Sequence, residues 1–93
     1  AVVFALENKL PDHLYNIGTG KDITLFDLSL IVQKIIGHKG KIFWDKNKPD
    51  GTPRKLLDVS KMNKMGWSYS TSLKEGIKKT YNWYLNNIYL FNK

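Results

Sequence analysis

The sequence has no cysteine among its 93 residues, which excludes disulfides, thiolate metal sites and cysteine nucleophiles within it. That absence fits a reducing compartment, and a cytoplasmic location is the expectation. Arginine is nearly missing as well: Arg54 is the only one, and every other cationic side chain is lysine. No apolar run approaches the ~20 residues that a membrane-spanning helix needs. The two histidines, His13 and His38, stand at no metal-ligand spacing, so no metal site is expected. Neither a Gly-x-x-x-x-Gly-Lys phosphate loop nor a His-Glu-x-x-His zinc motif occurs.

What is present is ordinary for a folded chain: 42% hydrophobic and 25% charged residues. The length suits one small domain or part of a larger one. A net charge of +7 invites an anionic partner. The lysines are scattered, with no run longer than the pair Lys78-Lys79, so a solvated basic surface competes with a binding face. A small basic nucleic-acid-binding module without enzymatic activity stays open as the alternative reading, with Trp83 and Tyr89 as the aromatic side chains free to stack on bases.

Along the chain, Ala1-Val2-Val3-Phe4-Ala5-Leu6-Glu7-Asn8 reads as a helix without a cap at its start. It resembles the back half of a longer helix, and with no initiator methionine the expectation is a piece of a longer protein. Alternating apolar residues predict a short strand over 13–17, followed by a Gly18-Thr19-Gly20 turn. The turn matches only the start of a dinucleotide fingerprint, because Ile23 occupies the third glycine position. Thr24 and Asp27 form a carboxylate capping box for a helix whose apolar face is Leu28, Ile31, Val32, Ile35 and Ile36. Gly37 is placed to end it in the left-handed region. A second strand is expected over 41–45. Asp58 or Ser60 starts a short helix that Gly66 stops. Ser72 and Glu75 make a full capping box for a last helix carrying Leu73, Ile77, Tyr81, Tyr84, Leu85 and Ile88 on one stripe. Tyr89 and Lys93 share the Tyr-x-x-x-Lys spacing of a reductase pair, but a chain end gives such a pair no scaffold and the match reads as chance.

One stretch carries most of the chemistry: Lys48-Pro49-Asp50-Gly51-Thr52-Pro53-Arg54-Lys55-Leu56-Leu57-Asp58. Two prolines and a glycine make it a set turn. It holds a carboxylate, a guanidinium and an ammonium close together in sequence, which suits the grip of a polar ligand on a pre-ordered loop. The plainer reading is a connector whose prolines only aim the chain.

Tyr15-Asn16-Ile17-Gly18-Thr19-Gly20 with the following helix resembles the late strand–turn–helix of extended short-chain dehydrogenases that act on nucleotide sugars. The 48–59 segment is similar, more specifically, to the GDP-L-fucose synthases of that family. Met65-Gly66-Trp67, Ser72-Leu73-Lys74-Glu75-Gly76-Ile77, Thr80-Tyr81 and Trp83 continue the resemblance in register over nearly the whole chain. The resemblance implies an α/β parent, a Rossmann domain plus a small α+β substrate domain. This chain would be its α+β C-terminal portion, with three main helices and short strands. Residues 1–20 would be the end of a helix and the last strand of the nucleotide-binding domain, and 21–93 a substrate-binding portion. The implied reaction converts GDP-4-keto-6-deoxy-D-mannose to GDP-L-fucose by epimerisation at two carbons and reduction by NADPH. Implied substrate-binding residues are Asp50, Lys55 and, beside them, Arg54. The family's cofactor loop and its catalytic Ser, Tyr, Lys, Cys and His all lie upstream of the matched region. The chain alone is therefore expected to be inactive, with no catalytic, cofactor-binding or metal residue of its own. The implied partners are the GDP-sugar, an N-terminal Rossmann domain and a second copy of the parent in a homodimer, with no membrane and no nucleic acid. A further option is a folded scaffold without activity.

Overall fold

Capping chemistry decides where the helices of this chain begin and end. The computed structural model describes residues 1–91. It contains α1 (Val2–Glu7), α2 (Leu25–Ile36), α3 (Ser60–Lys64) and α4 (Leu73–Asn86), then a 3-10 turn at Ile88–Leu90. The chain divides into two compact units, one of Ala1–Asp22 with Lys48–Ser70 and one of Ile23–Asn47 with Thr71–Lys93.

The second unit is built on α2 and α4, which pack against each other. At the start of α2, the Thr24 hydroxyl oxygen accepts from the Asp27 backbone N–H at 3.0 Å and donates to the Asp27 carboxylate at 2.7 Å. Gly37 ends α2 at φ 72, in the left-handed region where a side chain would be strained. Ser72 and Glu75 close the full reciprocal box on α4, satisfying N–H groups that would otherwise face water unpaired. Leu28, Ile31, Val32 and Ile35 on α2, with Ile77 and Tyr81 on α4, are half-buried. Aromatic contacts add to this: Phe26 meets Trp44 at 6.3 Å, and Trp83 meets Phe91 edge-on at 6.1 Å. Both separations lie within the favourable range for ring pairs.

The first unit holds α1, α3 and the long irregular segments. Its core is small, with Val59 and Met62 the fully buried apolar side chains among the described residues. Met62 sits on α3, and its carbonyl accepts from the Trp67 N–H at 3.1 Å. Gly66, at φ 97, turns the chain just after that helix. The start of α1 has no side-chain cap.

The short strands expected over 13–17 and 41–45 are not formed: no residue among those described is in a strand. Alternating apolar residues favour an extended backbone, but a strand exists only when a neighbour completes its ladder. Neither segment has such a neighbour here. Of the two starts expected for α3, Asp58 and Ser60, the helix begins at Ser60, and Asp58 is not its N-cap. Val59 holds that position, and the Asp58 carboxylate reaches past it to accept from the Ser60 N–H at 2.9 Å. The spacing of Tyr89 to Lys93 falls partly outside the described residues.

Replacing Met62, 1% exposed, by alanine should cost about 2–4 kcal/mol. The same change at Phe43, 86% exposed, should fall within about 0.5 kcal/mol of wild type. Urea unfolding of the two variants measures the contrast.

Candidate functional site

Residues 12–22 and 54–61 lie side by side in the first unit and are joined by side chains. Asp12 pairs with Lys61 at 2.8 Å, and the same ammonium lies 6.0 Å from the centre of the Tyr15 ring. The Tyr15 hydroxyl accepts from the Asp12 N–H at 2.9 Å, which holds the ring beneath the lysine. Asn16 donates its amide to the Asp58 carbonyl at 3.2 Å. Gly18 and Gly20 face Val59, and a Cβ on Gly20 would stand only 3.0 Å from a Val59 methyl. Finally, Arg54 donates through Nε to Asp22 Oδ2 at 2.6 Å and through Nη2 to Oδ1 at 3.4 Å. Partners rise in number along one segment as they fall along the other, so the two run antiparallel. They are clipped by side chains where a sheet would use its backbone.

The Gly-Thr-Gly turn therefore serves packing. Gly20 has φ 70 and is crowded by Val59, so two separate constraints require glycine there. A dinucleotide would need that same space, and the residues present do not form a cradle for one.

Asp50, Arg54 and Lys55 share one irregular, exposed loop. Of the three, Arg54 has a fixed partner in Asp22. Among the described residues, neither Asp50 nor Lys55 takes part in an ion pair. Side-chain hydrogen bonds along this stretch run through Asp45, Arg54 and Asp58. The Asp22 carboxyl is held below the usual carboxylate range, chiefly by the hydrogen bond from Arg54, which outweighs an opposing desolvation, with the Arg54 charge adding less. Arg54 is raised by the same contact. Asp58 is lowered chiefly by the backbone N–H of Ser60, and Lys61 is raised chiefly by its hydrogen bond with Asp12.

Beside the clipped segments opens a shallow cleft of about 510 Å³, walled by Thr19, Gly20 and Lys21 on one side and by 56–60 and Asn63 on the other. Asp50, Arg54 and Lys55 are not in its lining. The three residues singled out from sequence are thus together on the loop but outside this depression. The Asp22–Arg54 pair was not legible in the sequence: the partners are 32 positions apart, and no local motif links them. The one available signal was that a lone arginine in a lysine-rich chain needs a carboxylate. His13 and His38 are exposed, and no group of three or more His, Cys, Asp or Glu able to hold a metal occurs among the described residues. No helix among those residues is long and apolar enough to cross a membrane.

No family model matches the chain. Among curated proteins it is similar to GDP-L-fucose synthases and to a GDP-L-colitose synthase. It is 44% identical over 88 residues to GDP-L-fucose synthase 1 of Arabidopsis thaliana. It is 43% identical over 88 residues to a probable GDP-L-fucose synthase 1 of Oryza sativa subsp. japonica, and 46% over 84 residues to GDP-L-fucose synthase of Escherichia coli K12. These matches cover 95%, 95% and 88% of the chain but only 27%, 27% and 26% of the relatives. The chain thus spans about a quarter of the length of these curated relatives and corresponds in sequence to the C-terminal part of GDP-L-fucose synthases.

The Asp22–Arg54 contact has a direct spectroscopic check. A depressed carboxyl pKa means that the ion pair is fully present above the ordinary aspartate value of about 3.9 and is lost as pH falls through the lower native value. In a ¹³C NMR titration, Asp22 should titrate below that ordinary value in wild type and return toward it in Arg54→Ala. Identical titrations would show that the contact does not exist in solution.

Proposed function

We propose that this chain is the substrate-binding C-terminal part of a GDP-L-fucose synthase, an NADP-dependent epimerase–reductase that converts GDP-4-keto-6-deoxy-D-mannose to GDP-L-fucose. The observation that carries this reading is the identity of 43–46% with three such enzymes, extending over 88–95% of the chain. In this reading residues 1–20 belong to the nucleotide-binding domain and 21–93 to the substrate-binding portion. The working enzyme is a cytoplasmic homodimer whose Rossmann domain lies in the remaining sequence. Exposed apolar side chains support a larger folded whole: Leu6 is 83% exposed, Leu14 75% and Phe43 86%. Large apolar groups left in water are the usual mark of surface that another part of a protein covers.

Asp50, Lys55 and Arg54 are the substrate-binding residues of this proposal. A GDP diphosphate is a compact anion, and an ammonium or guanidinium holds it by charge-assisted hydrogen bonds. Lys55 supplies such a cation on a loop whose prolines limit the ordering cost of binding. Among the described residues the carboxylate of Asp50 makes no ion pair, and it can accept from a ribose or sugar hydroxyl. In this reading NADPH, which supplies the hydride, is bound by residues outside this chain, and the reducing chemistry falls to the other part of the enzyme. Grip on the nucleotide, remote from the reacting sugar carbons, still contributes to turnover, because binding energy there orients the reacting ring.

Nothing in the relatives points to nucleic acid, and the alternative of a basic nucleic-acid module has no support from them. In the full-length enzyme, Asp50→Ala and Lys55→Ala should each weaken GDP-sugar binding about tenfold or more and leave NADPH binding unchanged. Calorimetric titration with each ligand makes the measurement. Unaltered GDP-sugar affinity in both variants defeats the assignment.

A further inference from the structure

The pairing of Arg54 with Asp22 divides the work on the charged loop. Its two-pronged grip, 2.6 Å at Nε and 3.4 Å at Nη2, fixes the guanidinium side-on, an arrangement a lysine cannot reproduce. Both side chains are open to solvent, at 68% and 36% exposure. An ion pair so exposed adds little to stability, so its structural effect is local: it ties the loop to the residue that follows the Gly-Thr-Gly turn. Lys55 is the next residue along, with Cα atoms about 3.8 Å apart, and Pro53 fixes φ on the other side. Directly after an anchored arginine that itself follows a rigid proline, the space that the Lys55 ammonium samples is reduced.

We propose that Asp22 is a positioning residue of the sugar-nucleotide site: by holding Arg54, it sets Lys55 toward the diphosphate. This inference rests on the reading of Lys55 given above. It also runs against plain electrostatics. A carboxylate close to a cationic loop repels an anionic ligand, so deleting its charge should tighten binding if Coulomb forces alone mattered. A positioning role demands the reverse.

The test uses the full-length enzyme, GDP as the calorimetric probe and steady-state kinetics with the GDP-sugar. Asp22→Asn should weaken GDP binding about tenfold or more and raise KM for the GDP-sugar by a similar factor. The KM for NADPH and the thermal midpoint should stay at wild-type values, and Asp22→Glu should recover most of the loss. In a Lys55→Ala background, Asp22→Asn should have no further effect on GDP, because the group it positions is gone. GDP binding by Asp22→Asn that is unchanged or tighter, alongside a weakened Lys55→Ala, overturns the positioning role and leaves the site standing. Wild-type GDP binding by Lys55→Ala overturns the site reading, and the proposal with it.

Discussion

The contact between Arg54 and Asp22 is the constraint that ties down the charged loop of this molecule. It joins the last residue of one clipped segment to the first residue of the other, 32 positions apart. Without it, the loop bearing Asp50 and Lys55 would be held only from the Asp58 side. There Asn16, Val59 and Lys61 supply the clips. None of these ties is strong alone: exposed ion pairs and single hydrogen bonds each contribute about 1 kcal/mol or less. Their effect is to define register. A loop that carries a ligand's recognition groups needs defined geometry more than it needs added stability.

Two kinds of organisation meet in one short chain. The second unit relies on local helix chemistry, with capping boxes at Thr24 and Ser72 and a left-handed glycine at the end of α2. The first unit relies on long-range side-chain contacts and a two-residue core of Val59 and Met62. So small a core leaves much apolar surface in water, as Leu6 and Leu14 show. Such a balance is uncommon for an independent domain of this length. It agrees with a chain that spans only about a quarter of its relatives.

Legibility in the sequence followed the range of each interaction. Both capping boxes could be read directly, because Thr24 and Asp27, like Ser72 and Glu75, are three residues apart and their chemistry is self-contained. Gly37 was readable for the same reason. The expected strands failed because alternation over 13–17, with Tyr15 and Ile17 two apart, describes a preference, whereas a ladder needs a partner that no local pattern specifies. The start of α3 was legible as Asp58 or Ser60 and falls at Ser60, whose N–H the Asp58 carboxylate accepts from, since an aspartate's reach covers either register. On the charged loop, residue types and the match to known enzymes marked Asp50, Arg54 and Lys55. The carboxylate that Arg54 takes, Asp22, was not specified by any local pattern, because the two are brought together only by folding.

The account turns on where a bound nucleotide diphosphate would lie. A crystal structure of the full-length enzyme with GDP decides this directly. The account predicts the Lys55 ammonium within about 2.7–3.0 Å of a phosphate oxygen, with Arg54 still paired to Asp22. A diphosphate held away from this loop, with the Lys55 ammonium left in solvent, would contradict the account.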